Sequence, residues 1–119
     1  MSNITRIATD KRRSRAVVYN GMVFIGGQTA DDRSQDIRGQ TIQTLAKIDK
    51  FLAEAGTDKS RLLTAQIWIK DLARDFAGMN EIWDAWTAPG AASTRATAQC
   101  EMGAPDVLVE IIVTAAVAG

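Results

Sequence analysis

Residues 17–25 read VVYNGMVFI, two runs of β-forming side chains on either side of Asn20-Gly21. Asn-Gly between apolar runs is the strongest short-range signal for a tight β-hairpin, because both residues tolerate a positive φ. Gly26-Gly27 follows the second run and predicts a strand that ends or bulges there. A phosphate-binding loop is the alternative for these glycines, but its glycine spacing and its lysine are missing. The sequence therefore predicts an antiparallel pair of strands at this point.

Two helices and three more strands follow the hairpin. The first helix has apolar residues at spacings of three and four, and Gly56 is its expected stop. The second helix is expected to begin at Asp75 as N-cap and to end at Pro89-Gly90, with its aromatic stripe in the core. The predicted elements are a short strand at 4–7, the hairpin at 17–25, helices at 36–55 and 75–88, and strands at 62–70, 93–100 and 108–117.

The element order β-β-α-β-α-β-β predicts an α+β fold, a mixed sheet with two helices on one face. Residues 1–119 are expected to form a single domain, since this length is typical of one. Strand 62–70 alternates, and its odd-numbered residues are expected to face the helices. The other face of the sheet would then present Leu62, Trp68 and Ile112. Because that face is too apolar for water, we expect an oligomer in which sheets pack on each other.

The chain has no histidine and one cysteine, and Lys+Arg and Asp+Glu are both 14. The lack of histidine excludes Ser-His-Asp and Cys-His nucleophilic sites and leaves poor ligands for zinc or iron. The balanced charge argues against a nucleic-acid partner, and no apolar run approaches the ~20 residues of a membrane span. Cys100 cannot form an intrachain disulfide and is expected to be a buried, inert thiol. With no signal sequence at its start, the chain is expected to be cytoplasmic.

Arg95 and Glu110 are the candidate catalytic residues, because each lies in the middle of a predicted strand. An arginine binds a carboxylate bidentately, and a glutamate can orient or deprotonate a water molecule. If their strands are neighbours, the two side chains can approach one cavity and serve a small anionic substrate attacked by water. The alternative is a structural ion pair across two strands. Asn80 is either a buried, satisfied amide or a site residue, and nothing in the local sequence decides between these.

Four segments resemble, in order and spacing, the signature of the RidA/YjgF family. They are Gly26-Gly27-Gln28, Phe76–Trp83, Ser93–Thr97 and Val109-Glu110-Ile111, and the likeness covers nearly the whole chain. The resemblance implies a chorismate-mutase-like (RidA-like) α+β fold, assembled as a homotrimer with clefts between subunits. It also implies hydrolytic deamination of reactive 2-imino and enamino acids to 2-keto acids and ammonia, with no cofactor and no metal.

The same resemblance implies the roles of the site residues. Arg95 would hold the substrate carboxylate, and Glu110 and the backbone carbonyl of Thr97 would hold the attacking water. Gly27 would line the cleft through its backbone, and Asn80 would help to shape it. This scheme needs no histidine, because an imine already hydrolyses in water and catalysis then requires only positioning and charge stabilisation.

The sequence also departs from the family pattern. Gly26 stands where the family has serine, and Arg13 stands where it has an aromatic residue near the cleft. Arg13 either adds a second cation to the substrate site or extends the solvated basic run Lys11–Arg15. Three functions stay open: an imine deaminase, a trimer that binds small carboxylates or amino-acid-like ligands without catalysis, and a protein-interaction trimer with a vestigial cleft. The presence of Arg95 and Glu110 favours the first over the third.

Overall fold

The computed structural model describes residues 3–117 as one six-stranded mixed sheet with two helices. The strand order is β1-β2-β3-β6-β4-β5, and every neighbouring pair is antiparallel except the parallel pair β4 and β5. The predicted α+β order is confirmed, and a strand does precede the hairpin. The elements are β1 Thr5–Thr9, β2 Ser14–Tyr19, β3 Met22–Gln28, α1 Ile37–Glu54, β4 Leu62–Ile69, α2 Leu72–Trp86, β5 Thr94–Gln99 and β6 Val109–Ala116.

The β2–β3 hairpin turns at Asn20-Gly21 as predicted. Asn20 has a φ of 53° and Gly21 a φ of 77°, and Tyr19 pairs directly with Met22. Two consecutive positive φ values define the type I′ turn, whose twist matches that of the flanking strands. The hairpin therefore fixes which residues of β2 and β3 face the helices.

Helix α1 begins and ends where the sequence predicts. The side chain of its N-cap, Asp36, accepts a hydrogen bond from the Gly39 backbone N–H at 2.9 Å. At the other end Gly56 has a φ of 83°, and the Thr57 N–H donates to the Leu52 carbonyl at 2.9 Å. These bonds satisfy backbone groups that the last helical turn would otherwise leave unpaired.

The predicted start of the second helix is wrong. Helix α2 begins at Leu72, and its N-cap is Asp71, which accepts from the Arg74 backbone N–H at 3.1 Å. Asp75 lies inside the first turn, is buried, and is held by the Arg74 guanidinium with an Nη2–Oδ2 distance of 2.8 Å. Both aspartates precede apolar residues at helical spacing. The earlier one caps the helix because Leu72 already packs against the core.

Strand β4 differs from strict alternation at its first residues. The pairing of β4 with β6 shifts register between Leu62 and Thr64. Leu62 consequently faces the core and is 8% exposed, whereas Leu63 is 41% exposed. The expectation that Leu62 lies on the uncovered face is therefore wrong. A bulge adds one residue to the strand and reverses the side-chain alternation beyond it.

The hydrophobic core lies between the helices and one face of the sheet. We call the other side of the sheet the open face. Trp68 and Ile112 lie on it as predicted, and Phe24 and Tyr19 join them. Phe24 is 45% and Trp68 37% exposed, so several large apolar side chains share this uncovered surface.

Helix α2 packs closely on α1 at Gly78. A Cβ atom added to Gly78 would lie 2.8 Å from Ile37 Cγ2 and 3.3 Å from the Arg38 guanidinium. The missing side chain allows this approach and so sets how α2 lies over β4 and β5. Within the described part of the chain, neither helix is both long and apolar enough to cross a membrane.

Candidate functional site

Glu110 lines a cavity of about 350 Å³ at one end of the sheet. It pairs with Trp68 of β4, so its side chain lies on the open face. We call this space the Glu110 cavity. It is lined by Arg13, Arg15, Gly27, Thr29, Arg33, Gly103, Ala104, Val107 and Glu110. The structure thus brings together three of the residues expected in the site, namely Arg13, Gly27 and Glu110.

A bulge in β3 shapes the floor of this cavity. Ile25 pairs with Val113 and Gln28 with Ile111, so one extra residue of β3 lies opposite β6. The predicted bulge at Gly26-Gly27 is therefore confirmed. The buried side chain of Gln28 donates from Nε2 to the Gly26 carbonyl at 2.9 Å and holds the bulge in place.

Gly27 has no side chain where the Glu110 carboxyl group lies. A Cβ atom added to Gly27 would be 2.9 Å from Glu110 Cδ and closer still to Oε2. Real Cβ atoms do not approach other heavy atoms so closely. Any larger residue at this position would therefore displace the Glu110 carboxylate.

A tight turn positions Arg13 at the cavity. Asp10 Oδ1 accepts hydrogen bonds from the backbone N–H groups of Arg12 at 2.7 Å and Arg13 at 3.0 Å. These two bonds, together with the nearby guanidinium charges, hold the pKa of Asp10 below its ordinary value. An ionised Asp10 therefore stabilises the turn from which Arg13 extends.

Arg15 and Arg33 also line the cavity, and the sequence did not single them out. Residues two apart in an extended chain lie on the same side, so the position of Arg13 could have indicated that Arg15 also lines the cavity. Arg33 lies in the loop before α1 and is 3.5 Å from Asp106, both side chains being about half exposed. The sequence offers no pattern that would place Arg33 here, because the loop comes into place only through the fold.

Arg95 lies in a second place, between β5 and α2. It is half-buried, with its guanidinium carbon 5.9 Å from the ring centre of Phe76 and 5.7 Å from that of Trp83. Aromatic faces attract a guanidinium, and a planar cation held over them is restricted in orientation. Trp83 is itself buried, which fixes this support. The expected aromatic stripe is therefore only partly core, because Phe76 is 40% exposed.

Three buried polar atoms without partners lie around Arg95. They are Asn80 Oδ1, Ser93 Oγ and Thr97 Oγ1, and none has a hydrogen-bond partner within residues 3–117. Ser93, just before β5, and Thr97 within it lie two residues either side of Arg95, and Asn80 lies on α2 between the two aromatic residues. We call Asn80, Ser93, Arg95 and Thr97 the Arg95 group. An unpaired buried polar atom costs about 1–3 kcal/mol, so a partner for these atoms, such as water, a ligand or a neighbouring subunit, would be stabilising.

Arg95 and Glu110 do not meet within one chain. Arg95 pairs with Ala65 and shares its helix-covered face, whereas Glu110 shares the open face with Trp68. Strand β4 lies between their strands, so the two Cα atoms are separated by about 10 Å perpendicular to the strands. They are also offset along β4, because Arg95 pairs with Ala65 and Glu110 pairs with Trp68. Neither residue forms an ion pair in the described range. Their strands are therefore not neighbours, and within residues 3–117 of one chain the two residues share neither a cavity nor an ion pair; the cleft between subunits that the resemblance implies stays a prediction.

Two further features of the site region concern cysteine and metal ligands. Cys100, expected to be buried, is half-exposed just after β5, because the chain leaves the sheet there. Across residues 3–117, no three carboxylate or cysteine side chains are grouped as the ligands of a metal ion would be.

Known proteins resemble this chain over nearly its full length. The family model described as endoribonuclease L-PSP matches residues 3–117. A RutC family protein of Haemophilus ducreyi is 43% identical over 114 residues, covering 96% of this chain and 97% of that protein. The RutC family protein YoaB of Escherichia coli strain K12 is 40% identical over 114 residues, covering 96% and 98%.

The fold comparison gives the same answer. A YjgF family member from Neisseria meningitidis has a TM-score of 0.95 and 38% sequence identity, covering 98% of this chain and 97% of that one. A crystal structure of an uncharacterised protein from Pseudomonas aeruginosa also has a TM-score of 0.95, at 40% identity. The fold is thus the α+β, chorismate-mutase-like fold expected from the sequence. Sequence and structure together show that the chain belongs to the RidA/YjgF family.

Proposed function

We propose that this protein hydrolyses reactive 2-imino and enamino acids to 2-keto acids and ammonia, at a site formed between two copies of the chain. The Arg95 group of one copy and the Glu110 cavity of the next would face each other across the interface. The observation that carries this proposal is the set of three unpaired buried polar atoms around Arg95. Beside the unpaired cation, the hydroxyls of Ser93 and Thr97 can donate to a carboxylate, and Asn80 Oδ1 can accept from the N–H of an imine.

Arg95 is suited to hold the carboxylate of the substrate. Phe76 and Trp83 restrict the guanidinium without neutralising it, since aromatic rings carry no charge. A bidentate pair with a carboxylate would fix both the position and the plane of a small 2-imino acid. The side chains of Asn80 and Thr97 are close enough along the same surface to contact its polar atoms.

The separation of the two halves supports an oligomer. The open face carries exposed Phe24 and Trp68 next to Glu110, and these side chains would be covered by a neighbouring subunit. When one surface of each subunit contacts a different surface of the next, the subunits form a closed ring if the rotation between neighbours divides a full turn. A ring of three such contacts gives a homotrimer with three equivalent sites.

The reaction needs positioning and two proton transfers from oxygen to nitrogen. Glu110 would accept a proton from a water molecule as the water oxygen bonds to the imine carbon, and would pass that proton to the imine nitrogen to give the carbinolamine. The hydroxyl proton of the carbinolamine then moves by the same route to its amino group as the C–N bond breaks, which releases ammonia and leaves the 2-keto acid. The backbone carbonyl of Thr97 would orient the same water. Gly27 would keep the Glu110 carboxylate free of side-chain contacts at that point.

The test is the decay of 2-imino acids generated in situ from amino acids by an oxidase. We expect wild-type protein to shorten the imine lifetime, and Arg95→Ala and Glu110→Gln to remove most of this effect. Arg12→Ala in the turn before β2 and Glu54→Gln at the end of α1 are matched controls, because both residues are exposed and outside the two halves of the site. Binding of keto acids without acceleration of imine decay would instead support a non-catalytic carboxylate-binding protein.

A further inference from the structure

The Glu110 cavity contains more positive charge than the proposed reaction requires. Arg13, Arg15 and Arg33 line it together with the single carboxylate of Glu110. Of the three, only Arg33 has an ion pair within residues 3–117, and that pair with Asp106 is long and half exposed. A pair of this kind contributes little to stability and is easily exchanged for a better partner.

We infer that the substrate bears a second carboxylate, bound by the arginines of the Glu110 cavity while Arg95 of the neighbouring subunit binds the first. This inference rests on the proposed function, and it specifies a substrate class: 2-imino acids with an acidic side chain. Three guanidinium groups beside the single Glu110 carboxylate leave an excess of positive charge in one concave site, and such an excess attracts a further anion. An acidic side chain of the substrate would be that anion.

The arginines are held in place rather than scattered over the surface. Asp10 fixes the turn from which Arg13 extends. Arg15 is half-buried on β2, and its side chain lines both this cavity and the neighbouring one. Turn and strand fix the backbone of Arg13 and Arg15, so on binding these residues lose only side-chain freedom, which favours specific recognition over a flexible basic segment.

A carboxylate, rather than a phosphate, is the second group that the proposed reaction supplies. The proposed 2-imino acids correspond to amino acids, and the acidic amino acids carry a side-chain carboxylate. Glu110 repels any anion in the cavity, but the three guanidinium groups outweigh this repulsion.

The first experiment measures binding and does not depend on catalysis. Calorimetry compares 2-oxoglutarate with 2-oxobutyrate, two keto acids that differ chiefly in the second carboxylate, and includes inorganic phosphate. We expect 2-oxoglutarate to bind at least about tenfold more tightly than 2-oxobutyrate, the effect of one charged hydrogen bond. The preference should weaken as salt is raised. Equal affinities for the two keto acids, or tighter binding of phosphate alone, would overturn the inference.

The second experiment uses variants of the cavity. The double variant Arg13→Ala/Arg33→Ala should lose the preference for 2-oxoglutarate and keep its affinity for 2-oxobutyrate. Arg12→Ala is the matched control, because Arg12 belongs to the same turn but does not line the cavity. Both substituted residues are exposed, and circular dichroism checks that the variant folds. An unchanged preference in the double variant would show that these arginines do not recognise the ligand.

Turnover separates this inference from the proposed function. Imines derived from glutamate should be hydrolysed at higher kcat/KM than those from 2-aminobutyrate, and the double variant should remove the difference. If no imine is hydrolysed but the binding preference is present, the proposed function fails together with the 2-imino acid as substrate, and the site for a second carboxylate stands. If all imines are hydrolysed equally and both keto acids bind equally, the function stands and the inference is overturned.

Discussion

Mixing two inactive variants tests directly whether the site combines residues of two subunits. Arg95→Ala removes the carboxylate-binding side and leaves Glu110, while Glu110→Gln removes the water-activating side and leaves Arg95. Because the two residues lie on opposite faces of one sheet, no single chain can supply both to one ligand. Subunits of the two variants placed side by side would rebuild one intact site wherever Arg95 of one faces Glu110 of the next.

The expected magnitude follows from this geometry. Each variant alone should lose most activity: removal of a buried charged partner costs about 2–5 kcal/mol, which is roughly 30- to 5000-fold. In equal random mixtures, a site is intact only when an Arg95-bearing subunit precedes a Glu110-bearing one, so about a quarter of wild-type sites should return. The assay is imine decay per site after co-expression, or after unfolding and refolding the variants together.

Two outcomes would refute the reasoning. Mixtures that stay as inactive as either variant, although sedimentation shows mixed oligomers, would mean that the two residues do not share a site. A protein that sediments as a monomer at micromolar concentration yet hydrolyses imines would refute the interfacial site altogether. A mixture of Arg95→Ala with Arg95→Ala/Glu110→Gln subunits is the matched control, because it contains no intact Arg95 and should recover nothing.

Three further predictions concern single positions. Gly27→Ala should slow imine hydrolysis by roughly 10²-fold or more, since its Cβ would displace the Glu110 carboxylate; wild-type rates would show that Glu110 needs no such room. Gly78→Ala should lower the free energy of unfolding in urea by about 1 kcal/mol, because the clash with Ile37 outweighs the gain in helix propensity, and an increase would contradict the packing argument. The folded-state pKa of Asp10 is lowered, so its charge stabilises the fold above the ordinary aspartate range and loses this effect as the pH falls through about 4 and below. The difference in melting temperature between wild type and Asp10→Asn should therefore be present at pH 7 and shrink at pH 3, and a difference independent of pH would show that the charge plays no part.

Local signals predicted the elements well where one residue controls the outcome. Asn20-Gly21 predicts its turn because both positions require a positive φ, and Gly56 predicts the end of α1 because a positive φ suits a residue without a side chain. Periodicity was less reliable where two candidates compete or where a residue is inserted. Asp71 precedes the second helix and Asp75 lies in its first turn, and the bulge at Leu63 reverses an alternation that is otherwise regular.

The candidate residues could be named from the sequence, but their arrangement in the fold could not. Arg95 and Glu110 stand out as charges in the middle of strands, yet whether they meet depends on β4 lying between β5 and β6 and on which face each residue takes. Strand order is set by long-range pairing, and neither periodicity nor composition records it. The positions of Arg15 and Arg33 in the Glu110 cavity depend on the same long-range contacts.

The origins of the two halves of the site in the chain have a consequence for the order of folding. The Arg95 group comes from α2 and β5, which follow β4 directly in the chain. Because β5 pairs with β4 and the connecting loops are short, this group can form early in folding. The Glu110 cavity needs β3 to pair with β6, from opposite ends of the chain, and closing so long a loop is slow and entropically costly. Docking of β6 is therefore the folding step that completes both the sheet and the Glu110 cavity, and a subunit that has not taken this step has the Arg95 group alone.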